Sequence, residues 1–324
     1  MSERHERIVV VRNPVSTRTN SVETHVVSRL RETVPSSHVA EIWTPSGDHD
    51  EITEHVAESI QPGDTVVVAA GDGTGNAVAN AYMYSHDSDG VRLAFLPYGN
   101  FNDIARTFTG KAAQRDPSLL LDASATTVSA LPLEVLANDE HYRYAVLYAT
   151  LGWSAVAASL FAHPETRRNL HQGRMGVGSS LVTAAKMYFA TRRDSALSPF
   201  SIDNDERIHS AATDIAAVNG PVMAHLIRTN RPYYETDTFL TNTLDLSTLT
   251  RNARLVGSVG LNFAMGTRLV VPGDIVEGRE FHFDHATLPI QIDGEFDELK
   301  DVDALTVRKD ASEGAKRIDI IKTT

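Results

Sequence analysis

Two rhythms of apolar residues alternate along the first 110 positions, one a short continuous run and the other spaced for a helix. Arg7–Arg12 (RIVVVR) is β-branched throughout its centre, and Thr19–Val34 carries Val22, Val26, Val27 and Leu30 on one helical side. His38–Trp43 reads as a second strand. Asp48–Ile60 reads as a helix with Ile52, Val56 and Ile60 four apart, entered through Ser46-Gly47-Asp48. After the turn Gln61-Pro62-Gly63-Asp64, the run Thr65–Ala70 (TVVVAA) has the unbroken apolar character of a strand covered on both faces. Thr74–Tyr84 then reads as a helix, Val91–Leu96 as a strand and Phe101–Phe108 as a helix. This order predicts an α/β domain built on a doubly wound parallel sheet.

Past about residue 125 the rhythm changes. Thr126–Ala137 and Tyr142–Thr150 read as strands flanking Asn138-Asp139-Glu140-His141, followed by helices over Ser154–Ala162 and Ser179–Thr191. From Ser198 onward, short alternating runs are separated by turn signals such as Val271-Pro272-Gly273-Asp274 and Ile292-Asp293-Gly294. The pattern predicts a first domain over 1–125 and a mostly β, sandwich-like or open-barrel second domain over 126–324.

Composition narrows the chemistry. The chain has no cysteine, which removes disulfides, thiolate metal sites and thiol nucleophiles together. Its net charge of −12 disfavours a nucleic-acid partner. No stretch reaches the roughly 18 uninterrupted apolar residues of a membrane span, and the polar start Met1–Arg7 lacks a signal-peptide pattern. A cytoplasmic location is expected. Against the acidic background, residues 167–193 hold six cations (Arg167, Arg168, Arg174, Lys186, Arg192, Arg193) and no carboxylate. With Leu181, Val182, Ala185 and Phe189 at helical spacing, this segment either rests on the inner face of an anionic membrane or packs on the second domain.

The sharpest local feature is Ala70-Gly71-Asp72-Gly73-Thr74-Gly75-Asn76, between a buried strand and a helix. Ligands of open α/β sheets bind outside the carboxyl ends of strands. A glycine-rich turn there lets backbone amides approach phosphate oxygens, and the helix N-terminus adds favourable partial charge. Thr74 is placed to cap the helix. Asp72 puts a carboxylate where phosphate arrives, a conflict that Mg²⁺ or a proton-accepting role resolves. A plain strand–helix turn with Asp72 as a second cap is the simpler alternative. Leu96-Pro97-Tyr98-Gly99-Asn100-Phe101-Asn102-Asp103 repeats the geometry one strand later, and Asn13-Pro14-Val15-Ser16-Thr17 follows the first strand. Asn102 and Asp103 can each bind a ligand or cap a helix. Among other motifs, GxxxxGK[ST], HExxH and GxSxG are absent, and His282 and His285 face opposite sides of a strand.

Together these loops resemble the diacylglycerol kinase and sphingosine kinase superfamily, whose soluble bacterial members are lipid kinases and whose relatives include NAD kinases. The matching residues are Asn13-Pro14-Val15-Ser16, Gly71-Asp72-Gly73-Thr74, Pro97-Tyr98-Gly99 with Asn102-Asp103-Ile104-Ala105-Arg106, and a late Asp293-Gly294-Glu295. The resemblance implies an active site in the cleft between a nucleotide-binding domain and the β-rich domain, with ATP and Mg²⁺. Gly71, Gly73, Thr74 and Asn76 would cradle the phosphates, with Asn13, Ser16, Thr44, Gly99, Asn102 and Asp103 around the nucleotide. Asp72 would approach the phosphate–Mg²⁺ assembly. Asp293 and Glu295 would take the substrate hydroxyl proton or hold a further metal, and the base is not assigned to one carboxylate. Asp237 stands where the family has an Asp-Gly associated with a structural metal, but Thr238 replaces the glycine. The chain also departs from the pattern at Ala70, Thr17, Asn100 and Phe101.

The activity implied is phosphoryl transfer from ATP to the hydroxyl of a lipid, of diacylglycerol or sphingoid type. A kinase for a soluble alcohol, including a nucleotide cofactor, and a catalytically silent nucleotide-binding protein are the alternatives. The apolar stretches Ala145–Phe161 and Leu181–Phe189 either line a lipid channel or belong to the core.

Overall fold

The computed structural model describes residues 7–155, 200–202, 214–244, 274–299 and 302–323, except positions 17, 46–47, 86–87, 100–101, 123, 153, 224–226, 230 and 287–288. The chain divides into two compact units, Met1–Pro132 with Ala311–Thr324, and Leu133–Asp310.

In the first unit β1 (Ile8–Arg12) lies between β2 (Val39–Trp43) and β3 (Thr65–Ala70), and β4 (Arg92–Pro97) follows β3, all parallel. Every residue of β1 and β3 is buried, as unbroken apolar runs require. The segment after β1 winds as α1 (Thr19–Val22), a π-helical turn over Glu23–Val27, and α2 (Ser28–Thr33). Its Val22, Val26, Val27 and Leu30 pack on Ile8, Val10, Val67, Ala69, Ala94 and Leu96, which are alternate residues of the strands. Removing one such valine from water is worth about 2 kcal/mol. α3 (His49–Ser59) begins at Asp48, whose carboxylate accepts from the amides of Asp50 and Glu51. α4 (Asp72–Tyr84), α5 (Asp103–Phe108) and α6 (Lys111–Arg115) complete the helices.

The sheet does not end with the first 125 residues. β5 (Thr126–Ala130) stands at its edge, and β19 (Ile318–Lys322) inserts between β4 and β5, parallel to the first and antiparallel to the second. The boundary expected at 125 therefore falls at Pro132, with a returning segment that local periodicity does not reveal.

The second unit is a β-sandwich. One sheet has the order β14 (Asp274–Gly278), β13 (Phe239–Leu244), β10 (Asp214–Val218), β8 (Tyr148–Gly152), β16 (Pro289–Ile292), β17 (Glu295–Glu298). The other runs β7 (Glu140–Ala145), β6 (Leu133–Ala137), β18 (Val302–Arg308), β15 (Glu280–Ala286), β9 (Phe200–Ile202). All these pairings are antiparallel, and β11 (Val222–Met223) and β12 (Ile227–Arg228) form a separate hairpin. Leu133, Val135, Leu305, Val307 and Phe281 of one sheet pack with Ala149, Leu151, Ile215, Ala217, Phe239 and Ile290 of the other.

Two expected strands are each a pair. Thr126–Ala137 divides at Pro132, which cannot donate to a ladder, and its halves join different sheets. Tyr142–Thr150 breaks between Ala145 and Tyr148 because the amides there turn to Asp293. The helices expected over Ser154–Ala162 and Ser179–Thr191 and the basic run 167–193 lie outside the described residues, apart from Ser154 and Ala155. Among the described residues no helix is long and apolar enough to cross a membrane.

Candidate active site

Three strand ends of the first unit meet at one place. Asn13, just past β1, donates from Nδ2 to the hydroxyl of Thr74 at 2.8 Å, and Ser16 donates to the carbonyl of Tyr98 at 2.8 Å. The loop after β1 is thereby tied to the loops after β3 and β4. Those two loops touch through glycine: a Cβ on Gly99 would stand 2.3 Å from the Cα of Gly71. Asn102 fixes Gly99 from the far side, accepting from its amide at 2.7 Å and donating to its carbonyl at 2.7 Å. To do so Asn102 takes φ of 58°, a left-handed conformation that Asn tolerates better than most residues.

Asp72 opens α4 and is largely buried, and its Oδ1 accepts from the amide of Ile104 at 3.0 Å, in the first turn of α5. One carboxylate thus begins one helix and anchors the next. Gly71, not Thr74, is the cap position of α4, and no side chain caps it. The expected cap by Thr74 is displaced because its hydroxyl lies inside the first turn and serves Asn13. Gly71 and Gly73 remain partly open to solvent at the mouth of this turn. The first amides of a helix lack intrahelical partners, so the start of α4 offers donors to an anion.

Other expected residues sit deeper. Thr44 is buried, its amide donating to the Arg12 carbonyl at 2.9 Å and its hydroxyl without a hydrogen-bond partner. Asp103 is buried at the start of α5. Asn76 is fully buried, and its Oδ1 accepts from His49 Nε2 at 2.8 Å and Asn80 Nδ2 at 3.0 Å. Its amide is committed to the α3–α4 interface instead of a ligand. Asn80 Nδ2 also donates to the Asn76 backbone carbonyl at 2.9 Å, which ties the two Asn side chains within α4. Nothing in the sequence marks His49 beyond its place directly after the helix cap Asp48.

In the second unit, the turn Asp293-Gly294 joins β16 to β17, with φ of 46° and 90°. Asp293 is buried, and its carboxylate accepts from the amides of Val146 at 2.6 Å, Leu147 at 2.8 Å and Tyr148 at 2.9 Å. Glu295 differs: its Oε2 is buried without a hydrogen-bond partner. Asp237 forms an ion pair with Arg279 at 2.5 Å, and no group of three His, Asp or Glu residues suited to a metal occurs among the described residues. Where the resemblance implied a structural metal, the Asp237 carboxylate is partnered by a guanidinium in an exposed ion pair.

Comparisons with known proteins agree with this geometry. Residues 7–131 match the diacylglycerol kinase catalytic domain. A YegS-like lipid kinase of Yersinia enterocolitica is 30% identical over 118 residues, which is 36% of this chain and 38% of that protein. The match therefore spans well under half of the relative's length. Two solved structures from Bacillus anthracis str. Sterne that carry the name diacylglycerol kinase share the fold. One gives a TM-score of 0.65 at 16% identity, covering 98% of both chains. The other gives 0.60 at 14% identity, covering 98% of this chain and 97% of that one. The strand-end loops thus lie in a segment, residues 7–131, that is similar to the diacylglycerol kinase catalytic domain, and the fold is shared over nearly the whole chain with the two solved structures.

Proposed function

We propose that this protein transfers the γ-phosphoryl group of MgATP to a hydroxyl of a lipid, of diacylglycerol or sphingoid type. The observation that carries the proposal is the fixed contact of Gly71 with Gly99, bracketed by Asn13, Ser16 and Asn102. Such a construction leaves backbone, without side-chain bulk, facing the place where phosphate oxygens arrive. Phosphoryl transfer asks the protein mainly for positioning and charge neutralisation. Asp72, the carboxylate at the turn after β3, would help to hold a Mg²⁺ ion brought by the nucleotide, which would supply charge neutralisation at the phosphates. The attacking hydroxyl gives its proton to a carboxylate as its oxygen bonds the γ-phosphorus, while the bond from that phosphorus to the β–γ bridging oxygen breaks and ADP leaves. Glu295 is the better candidate in the late turn, since both oxygens of Asp293 are bound by amides.

The YegS-like relative supports the lipid as acceptor. Peripheral contact with an anionic membrane through residues 167–193 would bring the enzyme to such a substrate, and salt-sensitive vesicle binding lost on neutralising Lys186, Arg192 and Arg193 checks it. The deciding experiment measures ATP consumption with Mg²⁺ across diacylglycerol, long-chain bases, soluble alcohols and NAD. Turnover on a lipid alone is expected. Turnover confined to a soluble alcohol, or nucleotide binding without turnover, would refute the lipid kinase reading.

A further inference from the structure

The loop that carries Asp237 holds a cation belonging to the chain itself. Lys309, at the end of β18, is 6% exposed, and its Nζ donates to the carbonyls of Tyr233 at 2.6 Å and Thr236 at 2.8 Å. Both carbonyls come from one tight turn, in which the Thr236 amide and hydroxyl each donate back to the Tyr233 carbonyl at 2.9 Å. Carbonyl oxygens converging on one positive centre are the ligand type of a hard cation. The Lys309 amide donates to the Arg279 carbonyl at 3.0 Å, and the Arg279 guanidinium pairs with Asp237 at 2.5 Å. The Lys309 ammonium, held inside the turn, and the guanidiniums of Arg279 and Arg231, the latter over the Tyr233 ring, supply the positive charge around Tyr233–Thr238.

The same turn reaches the acidic motif. The Tyr233 amide donates to the Asn219 carbonyl at 2.8 Å. Asn219, fully buried, donates from Nδ2 to the Val146 carbonyl at 2.8 Å and from its amide to the Leu147 carbonyl at 2.7 Å. The amides of Val146, Leu147 and Tyr148 in turn hold the Asp293 carboxylate. A continuous hydrogen-bonded path therefore runs from Lys309 through Asn219 to the Asp293–Glu295 turn.

We propose that Lys309 is a built-in cation that takes the place of a structural metal in this loop and acts as a positioning residue for the Asp293–Glu295 turn. Its role in turnover rests on the proposed kinase function; its role in the fold does not.

The test uses the full chain. Without nucleotide, the melting temperature should be the same in EDTA and in excess Mg²⁺, and the purified protein should hold no stoichiometric metal. Lys309→Met should lower the melting temperature by several degrees. It should also accelerate amide exchange at Val146–Tyr148 more than across the rest of the second unit. Turnover should fall about tenfold or more with nucleotide KM unchanged, because the nucleotide loops are not part of the path. Tightly bound metal with a chelator-sensitive melting temperature would overturn the proposal without any variant, even if Lys309→Met fails to fold. So would a folded Lys309→Met protein with wild-type exchange at Val146–Tyr148. If the wild type shows no kinase activity, the function proposed above fails, while melting and exchange still decide the case of Lys309.

Discussion

Replacing Gly99 with alanine tests the close contact of the loops after β3 and β4, where phosphate is proposed to bind. The added Cβ would stand 2.3 Å from the Cα of Gly71 and 3.1 Å from Asn102 Oδ1. The first of these neighbours is backbone and cannot rotate away. Ordinary contact begins near 3.4 Å, so the two loops must part by about 1 Å. Overpacking of this kind costs about 1–3 kcal/mol, which lowers the melting temperature by several degrees. The effect on catalysis is larger in proportion, since a displacement of about 1 Å in a positioning element can cost on the order of a hundredfold in rate. Gly71→Ala is the internal control. Its Cβ would meet Gly99 Cα at 3.3 Å, a separation that needs only a slight adjustment. Thermal melting, nucleotide calorimetry and turnover should therefore rank wild type, then Gly71→Ala, then Gly99→Ala. A Gly99→Ala protein with wild-type stability and nucleotide affinity would refute the view that the two glycines set the spacing of the site.

Three other substitutions read separate parts of the molecule. Asp72→Asn keeps an acceptor for the Ile104 amide, so stability should change by less than about 1 kcal/mol while turnover falls on the order of a hundredfold or more; activity within a few-fold of wild type would remove Asp72 from the mechanism. Asp293→Asn leaves at least one amide of Val146–Tyr148 facing an NH₂ group and should cost about 1–3 kcal/mol in urea unfolding. Glu295→Gln should leave stability within about 0.5 kcal/mol yet depress turnover, and equal destabilisation by both variants would contradict the assignment. Glu134 accepts from His141 and is paired with Arg308, and these contacts hold its carboxyl below the ordinary value. A lowered carboxyl pKa adds stability above the unfolded-state pKa and loses it as pH falls through the folded-state value. Glu134→Gln should accordingly flatten the acid limb of the stability profile, and an unchanged limb would exclude the pair as a contributor.

The loops after β3 and β4 were legible as strand-to-helix turns because each follows a buried apolar run and opens with residues whose chemistry is local. Thr65–Ala70 leading into Gly71-Asp72-Gly73 announces a strand, a turn and a helix within a few residues, and the structure follows that order. Asn13 and Ser16 could be placed near the site, but their use as ties between loops depends on contacts 61 and 82 residues away, respectively. His49, Asn219 and Lys309 gave no local signal, since each acquires meaning only from a partner on another element. Asn76 illustrates the converse. Its position beside the glycines suggested a ligand, whereas helical periodicity turned it inward onto His49 and Asn80.

The place of β19 in the first sheet has a consequence for biosynthesis. β4 presents Leu93, Ala94, Phe95 and Leu96 in a strand whose second neighbour is β19, with 187 residues between the end of β5 and the start of β19. At about 5–20 residues per second, translation of that interval takes on the order of ten to forty seconds. Throughout it, one side of β4 is an unpaired edge, a template for association with other nascent chains. The first unit is thus begun before the second unit and completed after it. A chain cut short before Ile318 lacks β19 and leaves that edge of β4 unpaired.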